Sequence, residues 1–398
     1  MNKTKTTVIV IVIVIVAAFL GFLAWPTFKG VWPLIKPIPS TSPTSTPASG
    51  TSTNTTGIPL SLPPGFSISI FAKNLPGARV MAFDQFNNMW VSQTSEGLVS
   101  MIEIQDGKAV RQNPVFKNLK NPHGLTFEPD NKLILYIAEE NKISKVGLYS
   151  EDELHKIADL PSGGGHFSRT IDFGPDKRLY VSIGSSCNVC HEENNERAKI
   201  FSMDKNGGDF KEFARGLRNA VFFIWDAAGK MWATEMGRDL LGDNTPPDEI
   251  NVLKSGGNYG WPICYGKNIH DTDFDKNTYI RNPCMEPFET PSFIDIPAHS
   301  APLGLAFITN KTWPQAFQNN LLVAYHGSWN RSEPTGYKIV RMKFDAQGNY
   351  IGAEDFITGW MSGSNVYGRP VALVFGPNGN LYISDDRAGV IYRVSYVP

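Results

Sequence analysis

The chain has 398 residues, of which 19% are charged, and its 37 Lys and Arg residues nearly balance 38 Asp and Glu residues for a formal charge of −1. This balance gives no electrostatic basis for binding nucleic acid, so we expect no nucleic-acid partner. Glycine, proline and aromatic residues are abundant and runs of Ala, Glu and Lys are nearly absent, which favours many short strands over a helical fold.

The first predicted element is a membrane anchor. Residues 8–25 are uncharged and apolar or small, long enough to span the hydrocarbon core of a bilayer, and they follow Lys3 and Lys5. These lysines predict that residues 1–7 stay in the cytoplasm. The region after Trp25 lacks a small-x-small cleavage site, so an uncleaved signal anchor is favoured over a cleaved signal peptide. The rest of the chain is then expected on the extracytoplasmic side, in the periplasm or outside the cell.

A linker is predicted over residues 26–58. From residue 36 onward it consists mostly of Pro, Ser, Thr and Gly and offers little apolar surface to bury. Such a linker would hold the folded part, residues 59–398, at a distance from the outer face of the membrane.

One sequence pattern recurs through the folded part: an aromatic residue, a turn of Pro, Asp, Asn or Gly, and an alternating strand. Its copies begin at Phe83, Phe127, Phe173, Trp225 and Phe375, with a looser copy over residues 305–325. The early spacing of roughly 45 residues is typical of four-stranded propeller blades. We therefore predict an all-β fold, a six-bladed β-propeller, with insertions near residues 185–200 and 238–300 at the mouth that carries function.

All four cysteines lie in the predicted propeller. An even number outside the cytoplasm predicts two disulfides, most naturally Cys187 with Cys190 and Cys264 with Cys284, although the other two connectivities stay open. The segment from Cys187 to His191 also matches the attachment motif of c-type haem. It lies inside a propeller insertion without a surrounding helical domain, so a short-loop disulfide is favoured and haem c is not expected.

His166 is the leading catalytic candidate. It follows three glycines and precedes a predicted strand, so flexible backbone can present its imidazole at a strand end within reach of a substrate. A buried structural histidine, or one that caps a turn, fits the same segment equally well.

Two further stretches carry polar groups toward the same predicted mouth. Arg218 and Asn219 precede a blade strand, and a charged donor beside an amide suits a polyanion or a quinone oxygen, as well as an ordinary surface position. Asp248 and Glu249 follow a polar loop, and a carboxylate beside free loop carbonyls is able to gather calcium. A solvated acidic loop fits that second pattern equally well.

Several short motifs, in a fixed order along the chain, resemble those of the soluble sugar dehydrogenases that depend on pyrroloquinoline quinone, and in particular the glucose/sorbosone dehydrogenase group. They are Gly-His-Phe-x-Arg at 165–169, Ser-Ser-Cys-Asn-Val-Cys at 185–190, Leu-Arg-Asn at 217–219, Asp-Glu-Ile-Asn at 248–251, Gly-Gly-Asn-Tyr-Gly-Trp-Pro at 256–262 and His-Gly-Ser-Trp-Asn-Arg at 326–331. The resemblance covers nearly all of residues 60–398. Two departures are Met236, where the glucose-oxidising members carry a more polar residue, and a longer loop after Gly237.

The resemblance implies oxidation of a small sugar, an aldose or a related sugar aldehyde, by hydride transfer to pyrroloquinoline quinone, with calcium polarising the quinone. It makes His166 the general base and leaves the electron acceptor unknown. The remaining matching residues are implied to bind the two cofactors: Arg218, Asn219, Arg369 and Arg331 the quinone, and Gly237, Arg238 and Asp248 the calcium, the first two through backbone carbonyls.

Two other functions suit a six-bladed propeller. A calcium-dependent lactonase would use carboxylates and amides around a central metal, with no quinone. A non-catalytic propeller would bind a ligand or a protein and would lack converging polar groups at its mouth. The ordered set of histidine, arginine and asparagine favours the dehydrogenase, since a lactonase does not need it.

Overall fold

The computed structural model describes residues 52–148 and 153–396. Within these ranges the chain forms thirty short β-strands and two 3-10 turns, Thr94–Glu96 and Gln315–Phe317. Among the described residues there is no helix long and apolar enough to cross a membrane. The predicted anchor at residues 8–25 and most of the predicted linker lie outside the described residues.

The described chain begins with two strands that belong to the last blade. β1 (Thr53–Asn54) runs parallel to β2 (Phe66–Lys73). The Asn54 side chain also donates to the Ile58 carbonyl oxygen at 2.7 Å, and Thr56 is buried. The prediction that the linker extends to residue 58 is therefore wrong at its end, because strand pairing and these local hydrogen bonds bring residues 53–58 into the folded part.

Four antiparallel strands that follow one another along the chain make up each of the first two blades. Blade I consists of β3 (Ala78–Phe83), β4 (Met89–Gln93), β5 (Leu98–Gln105) and β6 (Lys108–Phe116). Blade II consists of β7 (Gly124–Glu128), β8 (Asn131–Ala138), β9 (Lys142–Gly147) and β10 (His155–Asp159).

Blades III and IV contain the long insertions. Blade III consists of β11 (Ile171–Phe173), β12 (Leu179–Ile183), β13 (Lys199–Met203) and β14 (Lys211–Arg215). Blade IV starts with β15 (Phe223–Trp225), β16 (Met231–Glu235) and β17 (Asp248–Leu253). Then β18 (Gly257–Asn258) joins blade III, β19 (Cys264–Tyr265) and β20 (Ile269–His270) form a hairpin, and β21 (Ile294–Ile296) completes blade IV.

The ring is completed by two more blades. Blade V consists of β22 (Pro302–Phe307), β23 (Leu321–Tyr325), β24 (Lys338–Phe344) and β25 (Tyr350–Ile357), and a small hairpin of β26 (Met361–Ser362) and β27 (Asn365–Val366) follows. Blade VI consists of β28 (Pro370–Phe375), β29 (Leu381–Asp385) and β30 (Val390–Tyr396), with β2 and β1 added at its outer edge. The predicted six-bladed β-propeller is confirmed, and strands from both ends of the described chain close it.

The repeated sequence pattern forms the turn between the first two strands of a blade. In blade IV one Asp226 oxygen accepts the backbone N–H groups of Ala228 and Lys230, and the other accepts the Trp232 indole N–H at 2.9 Å. Aspartate stabilises turns by accepting backbone hydrogen bonds two residues on. The same carboxylate therefore fixes the turn and positions an aromatic ring that is buried in the core.

The strand order places the start of each blade's first strand beside the end of its second strand. In blades I, V and VI, for example, Ala78 pairs with Gln93, Pro302 with Tyr325 and Pro370 with Asp385. The six first strands surround an axial cavity of about 320 Å³. Residues just before a first strand and just after a second strand therefore meet at one mouth of the propeller, although they are far apart in sequence.

Two disulfides close loops within the two insertions. Cys187 is bonded to Cys190, and Cys264 to Cys284, as predicted. Both sulfurs of the Cys-x-x-Cys segment are thus used in a bond to each other.

Candidate active site

His166 lies at the mouth with one ring nitrogen fixed. Its Nδ1 is 2.9 Å from the Ser185 carbonyl oxygen, which only accepts hydrogen bonds, so Nδ1 carries the proton and Nε2 keeps its lone pair. Burial and the nearby Arg218 charge lower the pKa of His166 to about 3. The imidazole is therefore neutral throughout the physiological pH range, with an unprotonated Nε2.

Two buried arginines hold the glycine-rich segment that carries His166. Arg169 donates to the carbonyl oxygens of His166 and Pro161 at 3.0 and 2.8 Å. Arg197 donates to the Gly163 carbonyl oxygen at 2.5 Å. Sequence reasoning missed both arginines, although Arg169 is part of the Gly-His-Phe-x-Arg motif. Their contacts turn a segment of flexible sequence into a fixed support for the imidazole.

Gly184 brings His166 close to the next predicted site residue. A Cβ atom on Gly184 would lie 2.7 Å from both the His166 Cβ and the Asn219 Oδ1. Real Cβ atoms do not approach other atoms this closely, so a side chain here would push His166 and Asn219 apart. The structure thus brings His166 and Asn219 close together.

Arg218 is almost fully buried, and its guanidinium donates hydrogen bonds to several acceptors. Its Nη2 is 2.9 Å from Asp239 Oδ2, and its Nε donates to the Asn188 carbonyl oxygen at 2.9 Å. The neighbouring Asn219 donates its backbone N–H to Glu235 Oε1 at 2.8 Å and its side-chain N–H to Met236 Sδ at 3.6 Å. Residues 218 and 219 are therefore bound to the loop that follows β16, where the predicted calcium residues lie.

Three buried carboxyl groups gather at that loop. One Asp248 oxygen accepts the Gly237 N–H and the other accepts the Ala301 N–H, each at 2.9 Å. Burial raises the pKa of Asp248 to about 7, that of Glu249 to about 7, and that of Glu235 well above its usual range. Glu235 Oε2 is buried without a hydrogen-bond partner among the described residues. The Arg218 charge lowers the pKa of Glu235 and Asp248 and so offsets part of the effect of burial, but the pKa of each group stays raised.

The remaining predicted arginines differ in their surroundings. Arg238 forms a two-pronged ion pair with Asp271, at 2.6 and 2.9 Å. Arg331 donates to Asn244 Oδ1 at 2.9 Å, which connects the loop after β23 to the loop after β16. The Arg369 guanidinium lies over the Tyr337 ring and donates to its hydroxyl at 2.9 Å.

Arg369 also belongs to a half-buried network that sequence reasoning did not assemble. Its Nη1 is 3.4 Å from His326 Nδ1, and His326 Nε2 is 2.9 Å from Asp386 Oδ1. The other Asp386 oxygen pairs with Arg79 at 2.9 Å. The signal for Asp386 was its position directly after a second strand, the position that Gly184 and Met236 have in blades III and IV. This network adds two arginines to the mouth, in the region where blades V, VI and I meet.

Comparison with known proteins adds four findings. A family model described as TrAA12-like matches residues 60–397. An uncharacterized protein of Borreliella burgdorferi is 33% identical over 361 residues, which cover 85% of this chain and 91% of that protein. The pyrroloquinoline quinone-dependent pyranose dehydrogenase of Coprinopsis cinerea is 26% identical over 403 residues, 83% of this chain but only 54% of that protein, so this chain spans about half its length.

The fourth finding is a solved structure. The holo form of the pyranose dehydrogenase PQQ domain from Coprinopsis cinerea superposes with a TM-score of 0.72 at 21% identity, covering 86% of this chain and 99% of that domain. At this identity the likeness establishes the shared propeller fold.

Proposed function

Because the chain belongs to the TrAA12-like family, among the soluble sugar dehydrogenases that depend on pyrroloquinoline quinone, we propose that it oxidises an aldose or a related sugar aldehyde with this quinone as hydride acceptor. The observation that carries the proposal is the convergence of three unlike groups at one mouth. They are His166 with its unprotonated Nε2, the buried Arg218, and the buried carboxyl groups of Glu235, Asp248 and Glu249, of which Glu235 Oε2 has no hydrogen-bond partner among the described residues. A propeller that only holds a partner protein does not need this combination.

The residues at the mouth fit both expected cofactors. Glu235 Oε2, buried and without a partner among the described residues, and the neighbouring loop carbonyls offer the hard oxygen ligands that calcium takes. In this proposal the Gly237 and Arg238 carbonyls bind the ion, and Asp248 holds the Gly237 peptide through its N–H. Arg218, Asn219, Arg369 and Arg331 supply donors for the carboxylates and carbonyl oxygens of the quinone.

His166 acts as the general base in this proposal. Its Nε2 accepts the proton of the sugar hydroxyl, while the Nδ1–H bond to the Ser185 carbonyl oxygen keeps the ring in place. The lowered pKa of His166 means that the base is already deprotonated at neutral pH.

An activity assay tests the proposal. The full-length chain, loaded with pyrroloquinoline quinone and calcium, is expected to reduce a redox dye with at least one member of a panel of aldoses and sugar aldehydes, and not with the cofactors omitted. Hydrolysis of lactones with calcium alone, and no dye reduction with any sugar, would contradict the proposal and favour a lactonase.

We also propose that residues 8–25 anchor the protein in a membrane with the propeller on the extracytoplasmic side. Lys3 and Lys5 before the apolar segment and the two disulfides support this location, since disulfides persist in oxidising compartments. The full-length chain is then expected to sediment with membranes after washing at high pH, and a variant lacking residues 1–25 is not. Sedimentation of neither protein would contradict the anchor.

The carboxyl cluster predicts how stability depends on pH when calcium is absent. The folded-state pKa of Asp248 and of Glu249 is raised to about 7, above the value of about 4 in an unfolded chain. At pH values between these two pKa values the folded protein therefore binds more protons than the unfolded chain does. Its free energy of unfolding then falls as pH rises, by up to about 1.4 kcal/mol per pH unit for each carboxyl. Denaturant unfolding at pH 5 and pH 8 checks this.

Calcium is expected to reverse that trend. A calcium ion that binds only to the folded protein with these carboxyls ionised raises the free energy of unfolding more at pH 8 than at pH 5. Equal stabilisation at the two pH values, or greater stability of the metal-free protein at pH 8, would contradict the assignment of calcium to this cluster.

A further inference from the structure

The short loop closed by the first disulfide makes direct contact with Arg218. Asn188 lies between Cys187 and Cys190, which are bonded to each other. Its backbone oxygen accepts the Arg218 Nε–H at 2.9 Å, and its side-chain Oδ1 accepts an Nη2–H at 2.9 Å. Two of the three guanidinium nitrogens are thus held by one residue of a four-residue loop.

Asp239 completes the arrangement from the neighbouring blade. It accepts Arg218 Nη2 through Oδ2 at 2.9 Å. Its backbone N–H donates to Asn188 Oδ1 at 2.8 Å, and its carbonyl oxygen accepts the Asn188 side-chain N–H at 3.1 Å. Asn330 from the blade V loop donates to Asp239 Oδ1 at 2.6 Å. Loops from blades III, IV and V therefore meet around the Arg218 guanidinium.

These contacts fix which edge of the guanidinium remains available. The Nε and Nη2 hydrogens are taken by Asn188 and Asp239, whereas Nη1 has one long contact, 3.4 Å, to the Met236 carbonyl oxygen. A guanidinium is planar with its donors in a rigid fork, so holding one edge orients the other. The edge toward Nη1 is then held in a single orientation.

The hydrogen bonds of the Asn188 side chain go to these mouth residues. Within the described ranges its Oδ1 and Nδ2 contact Arg218 and Asp239, and neither atom bonds to a blade strand. The backbone oxygen of Asn188 is also 3.4 Å from the Trp261 indole nitrogen. Asn188 is half-buried, so its side chain adds little to the packing of blade III.

We propose that Asn188 is a positioning residue that holds Arg218 in its cofactor-binding orientation, and that the Cys187–Cys190 disulfide keeps Asn188 in place. The inference rests on the proposed function, in which Arg218 binds the quinone. Opening the loop frees the backbone around residue 188, and removing the side chain takes away one of the two anchors of Nη2. Neither change replaces His166 or a proposed calcium residue. Because the Ser185 hydroxyl, which contacts His166 Nδ1, also donates to the Cys187 carbonyl oxygen, removal of the Asn188 side chain is the more selective change. It is expected to change affinity for the quinone more than the rate of the chemical step.

The test is an equilibrium titration of the calcium-loaded full-length chain with pyrroloquinoline quinone, followed by tryptophan fluorescence. Asn188→Ala is expected to raise the Kd for the quinone about tenfold, the effect of losing one hydrogen bond to a charged group. Asn188→Asp keeps an acceptor for Arg218 and for the Asp239 N–H, so it is expected to restore part of the affinity. Val189→Ala, in the same loop but without a side-chain hydrogen bond, is the matched control and is expected to bind like wild type.

A double-mutant cycle separates positioning from a merely structural role. If Asn188 acts through Arg218, the Asn188→Ala change is expected to have no further effect on the Kd in an Arg218→Ala background. The Cys187→Ser/Cys190→Ser variant, and wild type whose thiols are shown by mass spectrometry to be reduced, are expected to lose affinity like Asn188→Ala. Thermal unfolding of the Asn188→Ala and Val189→Ala apoproteins shows whether both variants fold.

The outcomes are distinguishable. Tight binding by wild type with equal binding by a folded Asn188→Ala variant, or additive effects in the cycle, overturns this inference alone. No binding of the quinone by wild type overturns the proposed function and this inference with it.

Discussion

Replacing His166 by asparagine is expected to lower kcat by about 10²–10⁴-fold, the usual contribution of a general base, and to leave quinone binding intact. The asparagine side-chain N–H reaches the position of the histidine Nδ1–H and keeps the bond to the Ser185 carbonyl oxygen. It offers no basic atom at the position of Nε2. The substitution therefore removes the proton acceptor without removing the hydrogen bond that places it, and steady-state kinetics with a parallel quinone titration measure both effects.

Phe167→Ala serves as the control for that substitution. Phe167 is adjacent in sequence, exposed, and carries no titratable group. Turnover by His166→Asn at the wild-type rate would remove His166 from the mechanism. Loss of quinone binding in the same variant would make His166 a cofactor ligand instead of the base.

Replacing Glu235 by glutamine is expected to weaken calcium binding by at least about tenfold, because the carboxyl group that would ionise on binding the cation becomes an amide that stays neutral. Glu235 Oε1 accepts the Asn219 N–H, which an amide oxygen is also able to do, while Oε2 has no partner among the described residues. The fold is therefore expected to tolerate the change. Calcium titration by calorimetry gives the affinity, and dye reduction at low calcium is expected to fall with it.

Asp172→Asn is the matched control for Glu235→Gln. Asp172 is also a carboxyl group whose pKa is raised by burial, but it lies in β11 and bonds to Thr126 and to the Phe173 N–H. Its neutralisation is expected to leave calcium affinity unchanged. Equal weakening by the two substitutions would show a general electrostatic effect and contradict a site at Glu235.

The fold was predictable because each blade repeats the same local chemistry. The aromatic residue, the turn aspartate and the alternating strand are visible in the sequence, and Asp226 shows why they recur: its carboxylate closes the turn and holds Trp232. The end of the linker was misplaced because residues 53–54 contain no apolar side chain. Their stability comes from backbone pairing with β2, which leaves no mark on composition.

The candidate site was predictable where its residues lie in motifs and not where contacts cross between blades. His166, Arg218 and Asn219 stand beside recognisable strands. The pair of Asn188 with Asp239 and the pair of His326 with Asp386 join residues 51 and 60 positions apart. The packing of neighbouring blades brings these residues together. A position after a second strand places each of them at the mouth, but the spacing along the sequence does not show which ones pair.

A titration of the metal-free, full-length chain with pyrroloquinoline quinone, with and without calcium and followed by the absorbance of the quinone, tests the proposed dehydrogenase function. We expect saturable, calcium-dependent binding of one quinone per chain, and we expect its absorbance to bleach when an oxidisable aldose is added. Calcium binding without any quinone binding would contradict the proposed function.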